Sequence, residues 1–246
     1  MRLRHTPFRL SDPAEALLCS LVGTAVLRAG NNPGGTGGGG ASVDYFEGFE
    51  SGAFSTDWTV ESSPEIYIDT VQDRVYAGTY GLAITENNTG LDPCILAPSA
   101  LSNGVQLDYV EFYYLGKSAS NGCGFRVMDA AGNEVCGFAS SNSAWEVHDG
   151  NGWHRFNGAP DGNQGTNGTW TRVKFIFDWA NGTFDLEVFL DDGGSDGLGG
   201  TETGLPMIAS ANIRDFRVTS FGTTSRGWNP EEPFDNSVDN IRLYKA

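Results

Sequence analysis

The segment AWEVHDGNGWHRFNG, residues 144–158, sets Trp145 and Trp153 on either side of an expected hairpin turn, with His148, Asp149, Asn151 and His154 beside them. An indole that shows a face to solvent stacks on the apolar face of a ligand ring, while carboxylate, amide and imidazole groups nearby bind polar substituents. The chemistry on offer is recognition, not bond-breaking. The same spacing also fits two core aromatics of an ordinary hairpin, because one strand pair does not reveal which face is covered. Trp179 and Trp228 lie in similar Gly/Asn/Asp-rich surroundings, whereas Trp58 and Trp170 match core positions at the start of strands.

Catalysis needs a nucleophile, an acid–base pair or a metal at a specific spacing. The chain holds no serine nucleophile elbow, phosphate loop, dinucleotide fingerprint or HExxH. Its histidines, His5, His148 and His154, form no spaced ligand set. Asp185, Glu187 and Asp191 in DLEVFLDD share one parity, which puts them on a strand face open to water. No catalytic residue is assigned, and the chain reads as a non-enzyme.

Composition narrows the partners. Of 246 residues, 31 are acidic and 15 basic, a formal charge of −16 that repels a nucleic-acid backbone. The chain is not built for nucleic acid. Lys occurs only at Lys117, Lys174 and Lys245, and low Lys with high Asp suits a saline environment or a GC-rich genome equally. With 39% hydrophobic and 12% aromatic residues, the chain can bury one sizeable core or two small ones, which rules out full disorder. No apolar run reaches the roughly 18 to 20 residues of a membrane span. The cysteines Cys19, Cys94, Cys123 and Cys136 are too scattered for a disulfide scaffold or paired zinc ligands, and the redox compartment stays open.

Three segments must position these groups. Residues 1–29 open on the basic MRLRHTPFRL and continue into a helix start, where Asp12 caps, Pro13 takes the first helical position and Glu15 reaches back. AEALLCSLVGTAVLRA then runs to Gly30, giving a helix apolar nearly all round that must bury itself in a partner or neighbouring subunit. A secretory signal is the other reading of these residues; Glu15, Pro13 and the lack of a small-x-small cleavage site favour an assembly anchor. Residues 30–42 are a tether in which seven of thirteen residues are Gly, with a reach of about 20 Å as a random coil.

Residues 43–246 make the third segment, with short apolar-alternating runs, no helix pattern, and Gly, Asn and Asp between runs. Clear strands are expected at 65–70, 79–85, 105–115, 123–129, 134–138, 145–149, 171–179, 183–191, 211–221 and 237–245. Some ten to thirteen strands over this length predict two antiparallel sheets packed face to face. Turns at Ala130-Ala131-Gly132-Asn133 and Ala180-Asn181-Gly182 close two hairpins. A turn centred near Ala131 pairs Arg126 with Cys136 and Cys123 with Ala139, which places the two cysteines on opposite faces.

FEGFESGAFSTDW (46–58), VYAGTYGLAIT (75–85) and VDNIRLY (238–244) occur in that order, and WTRVKFIFDWANGTFDLEVFLD (170–191) adds a Trp-bearing strand and hairpin. Together they resemble the jelly-roll modules related to the concanavalin A-like lectins, laminin G and MAM domains, and several carbohydrate-binding modules. In those modules the first strand carries Phe-Glu followed by Trp, a later strand a small-Gly-small-Tyr turn, and the last strand Val-Asp-Asx-Ile. The resemblance implies an all-β, two-sheet antiparallel jelly-roll sandwich. It implies a structural Ca²⁺ between first and last strands, held by Glu50 and Asp239, with Asp44, Glu47, Asp235 and the carbonyls of 76–78 as additions. Solvated loop acids are the alternative, and DDGGSDG (191–197) reads as a polar loop. Sugar binding is also implied, with the Trp145/Trp153 hairpin as first choice. Glycosidases of this fold carry Glu-x-Asp-x-x-Glu, a spacing that Asp185, Glu187 and Asp191 break.

The expected function is that of a non-enzymatic structural or adhesion protein. It would display a lectin-like sandwich toward a cell-surface glycan or receptor, held by residues 1–30 in a larger oligomer, with a virion head or tail appendage favoured over another extracellular surface. A secreted carbohydrate-binding protein and a glycoside hydrolase are the alternatives.

Overall fold

Strict alternation decides the architecture strand by strand. In WTRVKFIFD every second side chain from Thr171 to Phe177 is buried and those between are partly exposed, the mark of a strand with one face on a core. A computed structural model of the chain describes residues 42–60, 66–70, 75–85, 94–115, 123–141, 144–158, 169–190, 199–220 and 235–246. The expected helix within 1–29, nearly all of the tether, the 191–197 loop and Trp228 lie outside the described residues.

Fifteen strands occur among the described residues: β1 (Val43–Glu47), β2 (Trp58–Val60), β3 (Ile66–Asp69), β4 (Gly81–Thr85), β5 (Cys94–Leu96), β6 (Tyr109–Leu115), β7 (Cys123–Asp129), β8 (Glu134–Ser141), β9 (Ala144–Asp149), β10 (Gly152–Arg155), β11 (Trp170–Asp178), β12 (Thr183–Leu190), β13 (Gly199–Pro206), β14 (Ile213–Ser220) and β15 (Asp235–Lys245). The eight-stranded sheet has the order β13-β12-β11-β6-β15-β4-β3, with β1 on the far half of β15. The seven-stranded sheet has the order β10-β9-β8-β7-β14-β5-β2. The architecture is the expected all-β antiparallel sandwich. Strand β13 escaped the sequence reading because GGTETGLP carries no alternating apolar pattern; as an edge strand it tolerates Pro206, whose missing N–H faces no partner.

Aromatic side chains from both sheets lock together in the interior. Phe112 of β6 meets Phe125 of β7 at 4.2 Å and Phe216 of β14 at 5.2 Å, and all three are fully buried. Each such side chain contributes about 1.5–3 kcal/mol by burial.

The β7–β8 hairpin forms at the expected turn, with Asp129 Oδ1 accepting the N–H groups of Ala131 and Asn133 at 2.8 Å each. Its register departs from the expected one. Met128 faces Glu134, but Val135 is an extra residue, so Val127 rather than Arg126 faces Cys136 and Cys123 faces Ser140. By this register positions 123 and 136 share a parity, which corrects the expectation of opposite faces. They remain four residues apart along the pair, about 13 Å, beyond disulfide reach. Cys136 is a free, buried thiol.

Candidate functional site

The β9–β10 hairpin divides the residues expected to form one binding edge. Trp145 is 1% exposed, donates its indole N–H to the Tyr114 hydroxyl at 2.7 Å and packs edge-on against Phe156. It is a core residue and offers no face to a ligand, which corrects the first expectation. The reason is parity: Trp153 pairs with His148, and position 145 is three residues from 148, so it lies on the other face. Asp149 is 2% exposed and closes the turn, accepting N–H bonds from the backbone and side chain of Asn151 at 2.8 and 3.2 Å, with His154 Nε2 at 3.4 Å. Asp149 and Asn151 therefore fold the hairpin onto itself. His148 and Trp153 do come together outside, on the seven-stranded sheet, with parallel rings 4.6 Å apart and His148 Nδ1 2.8 Å from Glu134.

The acids assigned to calcium separate in the same way. Asp44 lies on the outer face of the eight-stranded sheet, in a bidentate pair with Arg242 at 2.9 and 3.1 Å. Glu47 accepts the Phe49 N–H and the Trp58 indole N–H at 2.8 and 3.1 Å, and Trp58 is a core residue as expected. These two do not join Glu50 and Asp239, and the Asp235 side chain lies outside the described residues. Glu50 and Asp239 converge on one turn. Asp239, fully buried, accepts the N–H groups of Tyr76 and Ala77 at 3.0 and 3.1 Å, and Glu50 those of Thr79 and Tyr80 at 3.0 and 3.2 Å. A Cβ at Gly78 would collide with the Glu50 carboxylate, so only glycine fits there. Each acid adjoins a residue of positive φ: Phe49 at 57°, a costly value for a bulky side chain, and Asn240 at 49°, which asparagine tolerates. Burial, with the charge of Glu50 adding to it, pushes the Asp239 carboxyl up to about 7 against three backbone N–H bonds.

No described basic side chain contacts either carboxylate, and two hard oxygen donors without a counter-charge suit a hard cation. Among the described residues no group of three or more His, Cys, Asp or Glu could hold a metal.

The outer face of the eight-stranded sheet is the site that sequence reasoning missed. Register places Phe46, Arg242, Glu111, Lys174 and Glu187 in one row across β1, β15, β6, β11 and β12. The row spans four interstrand steps, about 19 Å, and its charges alternate, an arrangement that stabilises the pairing. Arg172 Nη2 is 3.1 Å from Glu187 and its Nη1 3.8 Å from Glu111; Lys174 Nζ is 3.9 Å from Glu111.

Aromatic rows flank this ladder. On one side Tyr244 and Tyr109 stack at 4.9 Å, with Lys174 Nζ 4.2 Å over the Tyr109 ring. On the other Tyr113 stacks on Tyr76 at 3.9 Å, and Trp170 meets Tyr76 edge-on at 5.4 Å. Trp170 thus stands on the outer face at a half-exposed position, not in the core where its place at a strand start had put it. Trp179 is half-buried and donates its indole N–H to the Leu107 carbonyl at 2.7 Å. Phe46 is 55% exposed, and alternation alone points it outward, since Val43 and Tyr45 of the same strand are buried.

Asp185 and Glu187 share this face. Asp185 accepts the Gly204 N–H, and Glu187 pairs with Arg172.

No protein-family model matches the chain, and no curated protein matches it. Solved structures do. A sialidase aligns with 82% of this chain and 19% of its own, at TM-score 0.52 and 11% identity. An endo-β-1,4-glucuronan lyase from the fungus Trichoderma reesei aligns over 82% of this chain and 95% of its own, at 0.53 and 11%. A β-glucanase of Bacillus licheniformis gives 82% and 98%, at 0.50 and 10%. Identities this low carry the fold alone, and with two antiparallel sheets in the observed order the chain is a jelly-roll sandwich of the concanavalin A-like fold.

Proposed function

We propose that the chain is a non-catalytic glycan-binding protein that contacts sugar through the outer face of its eight-stranded sheet. The observation that carries this is Phe46, a large aromatic 55% exposed at the end of a charge ladder flanked by further aromatics. Sugar rings stack their C–H faces on such side chains, and paired charges beside them bind hydroxyls. The fold hosts many functions; that proteins named for action on glycans share it supports the reading. Glu111 and Glu187 pair with the same guanidinium, which holds both carboxylates ready as acceptors for hydroxyls.

Residues 1–29 act in this reading as an assembly anchor and 30–42 as a tether, with a virion head or tail appendage as the favoured setting and a cell-surface glycan or receptor as partner. Calcium between Glu50 and Asp239 belongs to the same reading, where the bound ion would neutralise both carboxylates and tie the segment after β1 and strand β15 to the 76–80 turn. Among the described residues no helix is long and apolar enough to cross a membrane.

A soluble-glycan panel, read by affinity electrophoresis, tests the site. Phe46→Ala should lose retention with unchanged melting and Tyr244→Ala with at most a small fall from its lost stack on Tyr109, while Trp153→Ala keeps it. Loss confined to Trp153→Ala would move the site to the hairpin, and release of reducing ends from any bound glycan would reject the non-catalytic reading. N-terminal sequencing of mature protein separates anchor from cleaved signal.

A further inference from the structure

We propose that the glycan is an uncharged polysaccharide and that this sheet face rejects acidic ones; the inference rests on the outer face being the binding surface. Among the described residues its cations are Arg172, Lys174 and Arg242, and each is already matched. Arg242 is held bidentate by Asp44 at 2.9 and 3.1 Å. Arg172 lies between Glu187 at 3.1 Å and Glu111 at 3.8 Å, and Lys174 Nζ lies 3.9 Å from Glu111. Asp185, on the same face, adds a fourth acid, which accepts the Gly204 N–H at 2.8 Å.

Among the described residues of this face three positive side chains therefore stand among four negative ones, Asp44, Glu111, Asp185 and Glu187, on a chain of formal charge −16. A uronate or sulfate group would have to displace a carboxylate from its guanidinium while approaching a field of its own sign. An uncharged sugar meets neither cost. Its hydroxyls take the remaining lone pairs of the carboxylates and the remaining N–H groups of Arg172 and Arg242 as charge-assisted hydrogen bonds. The ladder holds those groups in place beforehand, so little ordering remains to be done on binding.

The test is affinity electrophoresis of the full chain in laminarin, barley β-glucan, xyloglucan and galactan against alginate, polygalacturonate and hyaluronate. At least one neutral glycan should retard the protein, with less than about a twofold change as salt rises to about 1 M, where the Debye length falls to about 3 Å. The acidic glycans should not retard it. Glu111→Gln/Glu187→Gln frees Arg172 and Lys174 and should gain retention by alginate or polygalacturonate at low salt that disappears at high salt. Glu187→Gln alone should do so more weakly, and serves if the double variant does not fold.

Retention of wild type by an acidic glycan, abolished by Phe46→Ala, overturns the charge inference and leaves the sheet face standing. No gain in a folded Glu→Gln variant also counts against it. Retention by no neutral glycan, or neutral retention untouched by Phe46→Ala and Tyr244→Ala, removes the sheet face itself and this inference with it.

Discussion

Trp145 tests whether the β9–β10 hairpin presents its tryptophan to a ligand or to the core. The indole is 1% exposed, packs against Phe156 and donates to Tyr114 across the sandwich at 2.7 Å. Truncating a buried large aromatic costs about 3–5 kcal/mol, and removing one partner of the Tyr114 hydroxyl adds about 1 kcal/mol. Trp145→Ala should then lose about 4–6 kcal/mol of a domain stability that is typically about 5–15 kcal/mol. At about 2–4 °C per kcal/mol for a domain of this size, the Tm should fall by about 10–20 °C. Thermal and urea melts followed by circular dichroism measure this directly. Trp145→Phe keeps most of the ring and loses the donor; paired with Tyr114→Phe in a double-mutant cycle, it should show a coupling of about 0.5–1.5 kcal/mol. A Tm for Trp145→Ala within about 2 °C of wild type, or no coupling in the cycle, would refute the placement of this indole between the sheets.

Other consequences follow from the carboxylate pair and from the tether. Calcium should raise the Tm and EDTA lower it, because an ion bound only by the folded state stabilises by mass action; Glu50→Gln and Asp239→Asn should each abolish the difference, and melts indifferent to both would eliminate the ion. In metal-free protein the folded Asp239 carboxyl sits at about 7 against an ordinary 3.8, so the fold holds its proton more tightly than the unfolded chain does. That contribution is complete below about pH 4 and is lost as pH rises through about 7. Asp239→Asn should flatten the metal-free stability profile between those limits, and an unchanged slope would dismiss the group as its source. Deleting residues 1–42 should leave a folded sandwich that no longer enters its parent assembly, and full incorporation of the truncated protein would reject the anchor.

The residue order alone determined what is local. Period-two alternation, as in WTRVKFIFD, marks a strand and its buried side because successive side chains point to opposite faces whatever the partner strand. Turn chemistry placed the β7–β8 and β11–β12 hairpins, since a tight turn needs a positive φ that Gly132 and Gly182 supply at 84° and 67°. Glu50 and Asp239, which the first-strand and last-strand motifs supply, also lie together in space, on the turn whose N–H groups both accept.

Tertiary structure decided what depends on pairing. One extra residue, Val135, shifted the β7–β8 register and reversed the expected parity of Cys123 and Cys136. Trp145 and Trp153, eight residues apart in one hairpin, fell on opposite faces because the turn between them sets a pairing of 153 with 148. The ladder from Phe46 to Glu187 draws one residue from each of five strands that are not in sequence order, β1, β15, β6, β11 and β12. Alternation says that each of these side chains points outward. Which outward residues become neighbours is set by backbone hydrogen bonding between distant strands, and a slip of one position in any pair would dissolve the row.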